Sequence, residues 1–314
     1  MITVLTGGTG GAKFVDGLRH VVPAGEITLI VNTGDDFDWW GLHIAPDLDS
    51  IAYMLSGLLS KERGWGVQSD TFFCLQSMAR MNQPAWFQVG DRDLAVHLFR
   101  SQLLKSGKTL SQATASIAAT LNIQSRILPM TDSPVATMVT TPSGEISFQE
   151  YFVHRRFRDP VSAVRFSGAT KSQPAPGVLD AILSADAVLI APSNPVTSIG
   201  PILAVPGIAE ALRQTSAPVA AVSPIVGGAA VSGPAGSLMA SQSLPVSLAG
   251  VAQAYADFLD VLIADERDQP EAAQLHRPGL RVHCARTIMQ AAEDRITLAR
   301  ATLSSIAETS KAAH

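Results

Sequence analysis

Five aspartates, Asp35, Asp36, Asp38, Asp47 and Asp49, crowd the segment VNTGDDFDWWGLHIAPDLDS. Carboxylates packed this closely repel one another unless solvent or a cation relieves them. Mg2+ is a hard cation that takes oxygen ligands, commonly one or two carboxylates together with phosphate oxygens. Upstream, TGGTGGAK sets Gly7, Gly8, Thr9, Gly10 and Gly11 ahead of Lys13. Glycines after a strand can adopt positive φ, and the helix that follows presents free N–H groups and a positive dipole end. The run therefore reads as a phosphate-binding turn. It is neither GxxxxGK[ST] nor a clean GxGxxG. A phosphate turn beside an acidic segment points to metal-assisted chemistry on a diphosphate. The plainer alternatives are a tight strand–helix turn without a ligand, a helix cap at Asp47 or Asp49, and a solvated Asp38.

Two later stretches repeat the pattern of small polar residues after an apolar run. APSNPVTSIGPI carries Ser193, Asn194, Pro195, Thr197 and Ser198, and SPIVGGAAVSGPAG carries Ser223 and Gly227. Several such loops after successive strands suggest a ligand crevice. VGDRDLAVH carries Asp91, Arg92 and Asp93 at a helix start. There the aspartates suit the helix dipole, and the Arg92 fork suits a phosphate or carboxylate. His97 and Cys74 fall in helical patterns and read as packing residues. No Ser-His-Asp order or nucleophile elbow is visible.

The elements needed to position these groups follow from periodicity. Ile2–Leu5 and Ile27–Val31 are short, almost wholly apolar runs, as in parallel strands covered on both faces. Phe14–His20 reads as the helix between them. Helical spacing dominates about residues 48–125, in PDLDSIAYMLSGLL, SDTFFCLQSMARM, DRDLAVHLFRSQLLKSG and LSQATASIAATLNI. ILPM, ATMVTT and EISFQEYF read as β, the last two as a hairpin across PSGE. AVLIA, PVAAVS and VLIA are further buried strands, alternating with helices, and a helix over 287–307 closes the chain. The expected fold class is α/β: one Rossmann-like domain over 1–314, with a doubly wound, mostly parallel sheet, a helical insertion at about 48–125 and a small β-hairpin region.

The chain has 314 residues and a formal net charge of -4, so it lacks the basic footprint of a nucleic-acid binder. Its two cysteines, Cys74 and Cys284, form no CxxC pair and suggest a reducing compartment. With no basic leader and no apolar run of bilayer length, the expectation is a cytoplasmic enzyme or regulator without a membrane partner.

The ordered set GGTGGAK, VNTGDD, PDLDS, RGWG, DTF, GDRDLA, LPMTD, FQEYFV, APSNPVTSIGPILAVPGI, SPIVGG, VSGPAG and DFLDVLIADERD resembles the 2-phospho-L-lactate transferase family of coenzyme F-420 biosynthesis, including its bacterial phosphoenolpyruvate-using members. The resemblance runs from Met1 to about Arg286. It implies an Mg2+-dependent transferase, with the hydroxyl of the deazaflavin alcohol Fo attacking a guanosine diphosphate-linked small acid. GMP leaves, and the acid is 2-phospholactate, phosphoenolpyruvate or a phosphoglycerate. It further implies Asp49 at the Fo hydroxyl as base or metal ligand, with Asp35 and Asp36 as further catalytic and metal candidates. Gly7–Gly11 and Lys13 would line the phosphates, and Ser193, Asn194, Pro195, Ser198 and Gly227 the nucleotide. Gln88, Asp91 and Arg92 would lie on the Fo side. His154, with Cys74 and Met78, would shape the acid pocket. Family members often carry lysine at the position of Gln88 and arginine at that of His154. A homodimer is also implied.

Two other functions compete. A related branch of regulators binds nucleotide sugars with the same glycine run and without an Fo pocket. A nicotinamide-dependent dehydrogenase would use Asp35 after the second strand, but explains neither the aspartate cluster nor the later loops.

Overall fold

The computed structural model describes residues 1–275 and 278–312. Seven strands build the main sheet: β1 (Ile2–Thr6), β2 (Ile27–Val31), β3 (Arg126–Pro129), β4 (Ala187–Ile190), β5 (Val219–Val222), β6 (Val261–Asp265) and β7 (Arg281–Ala285). All pairings are parallel, in the spatial order β7-β6-β5-β4-β1-β2-β3. The order reverses between β1 and β4, so their carboxyl ends open the crevice in which such sheets place ligands.

The all-apolar strands are explained by cover on both faces. Leu5, Ile30 and Ile190 point into one core, packed by the helices Val178–Leu183, Ile208–Gln214 and Leu248–Ala254. Their neighbours Val4, Leu29 and Leu189 point into the other, which α1 (Gly8–Leu18), α2 (Pro46–Leu55) and the C-terminal helix Ala292–Ala312 cover. Alternate residues thus serve opposite cores. At Gly17 a Cβ would collide with the Arg295 backbone, so only glycine lets α1 and the C-terminal helix cross this closely.

Three more helices follow α2: α3 (Phe73–Arg80), α4 (Asp91–Lys105) and α5 (Leu110–Thr120). In α5 a capping box joins Thr109 and Gln112. After α4, Gly107 takes a φ of +88°, the left-handed conformation that ends a helix cheaply. The helical reading of this region therefore agrees with the structure.

Several local readings need correction. The helix expected to begin at Phe14 begins at Gly8, because the glycines form its first turn rather than a loop before it. ILPM belongs to the main sheet as β3. EYFVH is a helical turn, and the hairpin Ala136–Thr141 with Gly144–Ser147 gains a third strand at Ala163–Ser167. The edge strand β7 was not legible: its RVHCA has too few apolar residues, and all five are half-buried. The last helix starts at Ala292 rather than Thr287.

Among the described residues no single helix is long and apolar enough to cross a membrane. Pro195–Ala204 with Ile208–Gln214 reaches that composition only as a pair bent by 87°, and its Ile199, Ile202, Ile208 and Leu212 lie in the core.

Candidate active site

The β1–α1 junction lies against the residues after β4 at the strand reversal. Ser193 Oγ donates to the Gly7 carbonyl at 2.7 Å and tethers the two ends. A Cβ on Gly10 would stand 2.5 Å from the Pro192 carbonyl oxygen, and one on Gly11 would strike Thr6 Oγ1. These glycines therefore bring α1 close to β4. Of the glycines in the run, only Gly8 has a positive φ, at +67°. Pro195 and Ser198 are buried alongside. Asn194 is partly committed to structure, since its Oδ1 accepts from Val196 N and Thr197 N. Lys13 is half-buried and has no hydrogen bond or ion pair with a described residue.

The first turn of a helix leaves N–H groups without intrahelical partners. In α1 the Gly8 N–H donates to Asp47 Oδ1 at 2.7 Å. Asn32 Nδ2 donates to Asp47 Oδ2 at 2.9 Å, and Asn32 Oδ1 accepts from Gly34 N. Asp47 thus sits where the helix dipole favours an anion. Asp35 and Asp36 follow β2 close by. Among the described residues each has one buried oxygen, Oδ1, without a partner, and the buried hydroxyls of Thr6, Thr33, Thr137 and Thr197 also lack one. Native proteins leave few buried polar atoms unpaired, so a concentration of them at one crevice is a functional signal.

Electrostatics point the same way. Burial, then the charges of Asp47 and Asp36, push the Asp35 carboxyl well above the ordinary aspartate range. Burial raises Asp36 to about 6 against the opposing pull of His43, whose Nε2 lies 3.1 Å from Asp36 Oδ2. Burial also raises Asp47 to about 6, with Asn32 and Gly8 opposing it. Hard oxygen donors with unpartnered atoms and mutual repulsion form a donor set that suits a divalent cation.

A pH dependence follows. A carboxyl whose folded pKa exceeds its unfolded value stabilises the fold fully below the unfolded value, and that contribution is lost as pH rises through the folded one. For Asp36 and Asp47 the window runs from the ordinary 3.8 to about 6. Without divalent cations, the contribution of Asp36 to the urea midpoint should fall from pH 4 to pH 6.5. The Asp36→Asn variant should show a shallower decline over that window, and an equal slope in both proteins would refute the assignment.

Asp49 sits in a buried, charged cluster on α2 and α4. Its carboxylate makes a bidentate pair with Arg100: Nη1 lies 3.1 Å from Oδ2, and Nη2 bonds Oδ1. His97 Nδ1 lies 3.5 Å from Asp49 Oδ2, and His97 Nε2 lies 3.2 Å from Asp93 Oδ1. Tyr53 donates to Asp93 at 2.6 Å. Burial alone would lower the Arg100 pKa, but the Asp49 charge and hydrogen bond leave it raised. Asp49, Asp93 and His97 lie near enough to share an ion, but the guanidinium already supplies the positive charge.

The remaining candidates lie apart from this crevice in their contacts. Asp91 accepts from Thr71 Oγ1, Phe73 N and Cys74 N, which fixes the start of α3 and holds its carboxyl below the usual range. Arg92 and Gln88 are exposed, and Cys74 and Met78 are half-buried on α3. His154 stacks on Trp86 at a centroid distance of 5.1 Å. Trp86 belongs to an aromatic group with Phe37, Trp39 and Phe87 that borders the acidic segment. Asn32, His43 and Arg100 were absent from the expected site. The first two lie inside the acidic stretch and were overshadowed by its aspartates, whereas Arg100 carries no local signal.

Comparison with known proteins agrees with this architecture. The family model described as 2-phospho-L-lactate transferase CofD matches residues 2–296. A 2-phospho-L-lactate transferase from Methanosarcina acetivorans is 42% identical over 290 residues, covering 92% of this chain and 94% of the relative. A phosphoenolpyruvate transferase from Streptomyces griseus is 41% identical over 308 residues, covering 96% and 97% respectively. A crystal structure of a UPF0052 family protein from Bacillus halodurans shares the fold with a TM-score of 0.65 at 17% identity, covering 96% of this chain and 98% of that one. With a sheet reversal, glycine turn and carboxylate cluster in the matched region, the chain belongs to the 2-phospho-L-lactate transferase CofD family of transferases.

Proposed function

We propose that this transferase joins a phosphorylated small acid, delivered as its guanosine diphosphate-linked donor, to the hydroxyl of Fo in a Mg2+-dependent reaction. The observation that carries this reading is the meeting of the α1 first turn with Asp47, Asp35 and Asp36 at the strand reversal. The diphosphate lies along the first turn of α1 beside Asp47, where Thr9 presents exposed backbone and Lys13 offers a charge with no partner among the described residues. Asp35 and Asp36, each with an oxygen unpartnered among the described residues, would hold the cation. When bound, Mg2+ neutralises charge on the diphosphate and on the departing phosphate.

The Fo hydroxyl oxygen bonds to the phosphorus nearer the acid. The bridging P–O bond breaks, and its electron pair leaves with GMP. The hydroxyl proton passes to a site carboxylate that is not engaged with the cation. Asn32 holds Asp47 in register. The partly buried, near-parallel rings of Phe37 and Trp86, backed by Trp39, supply an apolar surface suited to a deazaflavin ring.

Purified protein incubated with Fo, Mg2+ and each guanylylated acid should release GMP and form one Fo–acid phosphodiester, read by product mass. If His154 sets the acid choice, His154→Arg should shift it. No product from 2-phospholactate, phosphoenolpyruvate or phosphoglycerate donors, with binding of a nucleotide sugar instead, would favour the regulator.

A further inference from the structure

Trp40 stands in a backbone conformation that bulky residues rarely adopt. The strands Phe37–Trp39 and Leu42–Ile44 pair antiparallel with Trp39 opposite Leu42, so Trp40 and Gly41 form a two-residue turn. Their φ values are +52° and +74°. Such a turn needs positive φ at both positions and favours Asn-Gly. Gly41 meets that need freely, whereas a large side chain at positive φ is strained. Strain of this kind persists where surrounding contacts over-determine it, and it gathers at functional sites.

Two contacts hold Trp40 in place. Its indole Nε1 donates to the Pro84 carbonyl at 3.0 Å, and its ring centroid lies 5.6 Å from that of Trp39. The first contact matters to residues 84–88, the link between α3 and α4. Both ends of the link are fixed. Gln83 N donates to the Met78 carbonyl, Asp91 N donates to the Thr71 carbonyl at 2.8 Å, and Val89 is buried. Between these ends, the Trp40 indole makes the only hydrogen bond of residues 84–88 with described residues.

The link carries Trp86. Its ring lies within 15° of parallel to Phe37 and within 10° of parallel to His154, and 4.7 Å from Trp39 between centroids. Aromatic packing accepts offset and edge arrangements alike, so it does not by itself fix one position for the link. A hydrogen bond has a preferred distance and angle, and does.

We infer that Trp40 is a positioning residue: its indole latches the 84–88 link to the acidic segment and so aligns Trp86 with Phe37 for the acceptor ring. The inference rests on the Fo reading above. A protein whose link is aligned only part of the time binds through that fraction, and its apparent Kd rises in proportion. Trp40 acts through Trp86 and not on the reacting atoms, so protein saturated with Fo turns over at the same rate with or without the latch.

The test reads Fo binding to the full chain by fluorescence polarisation, and transfer by steady-state kinetics. Trp40→Phe keeps an aromatic ring and removes the donor. It should raise both the Kd and the KM for Fo by about fivefold to tenfold, the net worth of one hydrogen bond. The kcat at saturating Fo and the KM for the guanylylated acid should not change. A general packing defect would instead weaken both substrates or lower kcat. Trp40→Asn supplies the residue that the turn prefers and is too short to make the same bond. It should show the same shift for Fo, and it decides the question if Trp40→Phe does not fold. Unchanged Fo affinity in a folded variant overturns the latch, as does an equal weakening of the guanylylated acid. Wild-type protein that does not bind Fo overturns the acceptor reading itself, and the latch falls with it.

Discussion

Asp35→Asn is expected to lower kcat/KM for transfer by about 10³-fold while raising the melting temperature by a few degrees. The two effects have opposite signs for one reason. Asp35 is buried beside Asp47 and Asp36, and desolvation and repulsion penalise its charge. An amide of nearly the same shape removes that penalty, so the fold gains. The same change removes an anionic donor from the cation site, so catalysis loses. A residue kept for stability would behave in the reverse sense, whereas a functional site trades stability for activity. Steady-state kinetics and thermal melts of one preparation check both halves. Retained activity would remove Asp35 from the reaction, and a lowered melting temperature would make its role structural.

Removing the cation from the buried pair should have the largest effect on stability. Arg100→Met is expected to destabilise the protein by about 3–5 kcal/mol, because Asp49 would be left charged and uncompensated in the interior. Arg100 also links α4 to α2 and reaches the His43 carbonyl at 3.4 Å, next to the Asp36 partner. The double variant Asp49→Leu/Arg100→Met should recover most of the loss, because an apolar pair of similar volume carries no desolvation cost. Denaturant unfolding of wild type, both single variants and the double variant gives the coupling directly. Additive losses would mean that the two groups do not act as a pair.

Parts of the crevice were legible because their cause is local. Short apolar runs such as ITLIV, rich in β-branched residues and too brief for a helix, fit strands covered on both faces, so the parallel sheet could be read from the chain. The glycine run and the aspartate-rich segment were visible as compositions, and their place after β1 and β2 put them at the carboxyl edge. The ordered motifs carried the family with them.

The roles within the crevice were not legible, and Asp47 and Asp49 show why. Both lie in the first turn of α2. Residues two apart on a helix do not share a face. Asp47 therefore meets the first turn of α1, while Asp49 turns to Arg100. The PDLDS motif names both residues equally, and only the rotation of α2 against the sheet separates them. Arg100 comes from a distant segment and enters through packing, which local spacing does not encode. What the sequence by itself determined was the doubly wound sheet, the family and the two segments that hold the chemistry, since each rests on near-neighbour patterning. The tertiary structure alone decided which carboxylates face the crevice and which charge is neutralised in the core, because helix rotation and long-range packing set the direction of every buried side chain.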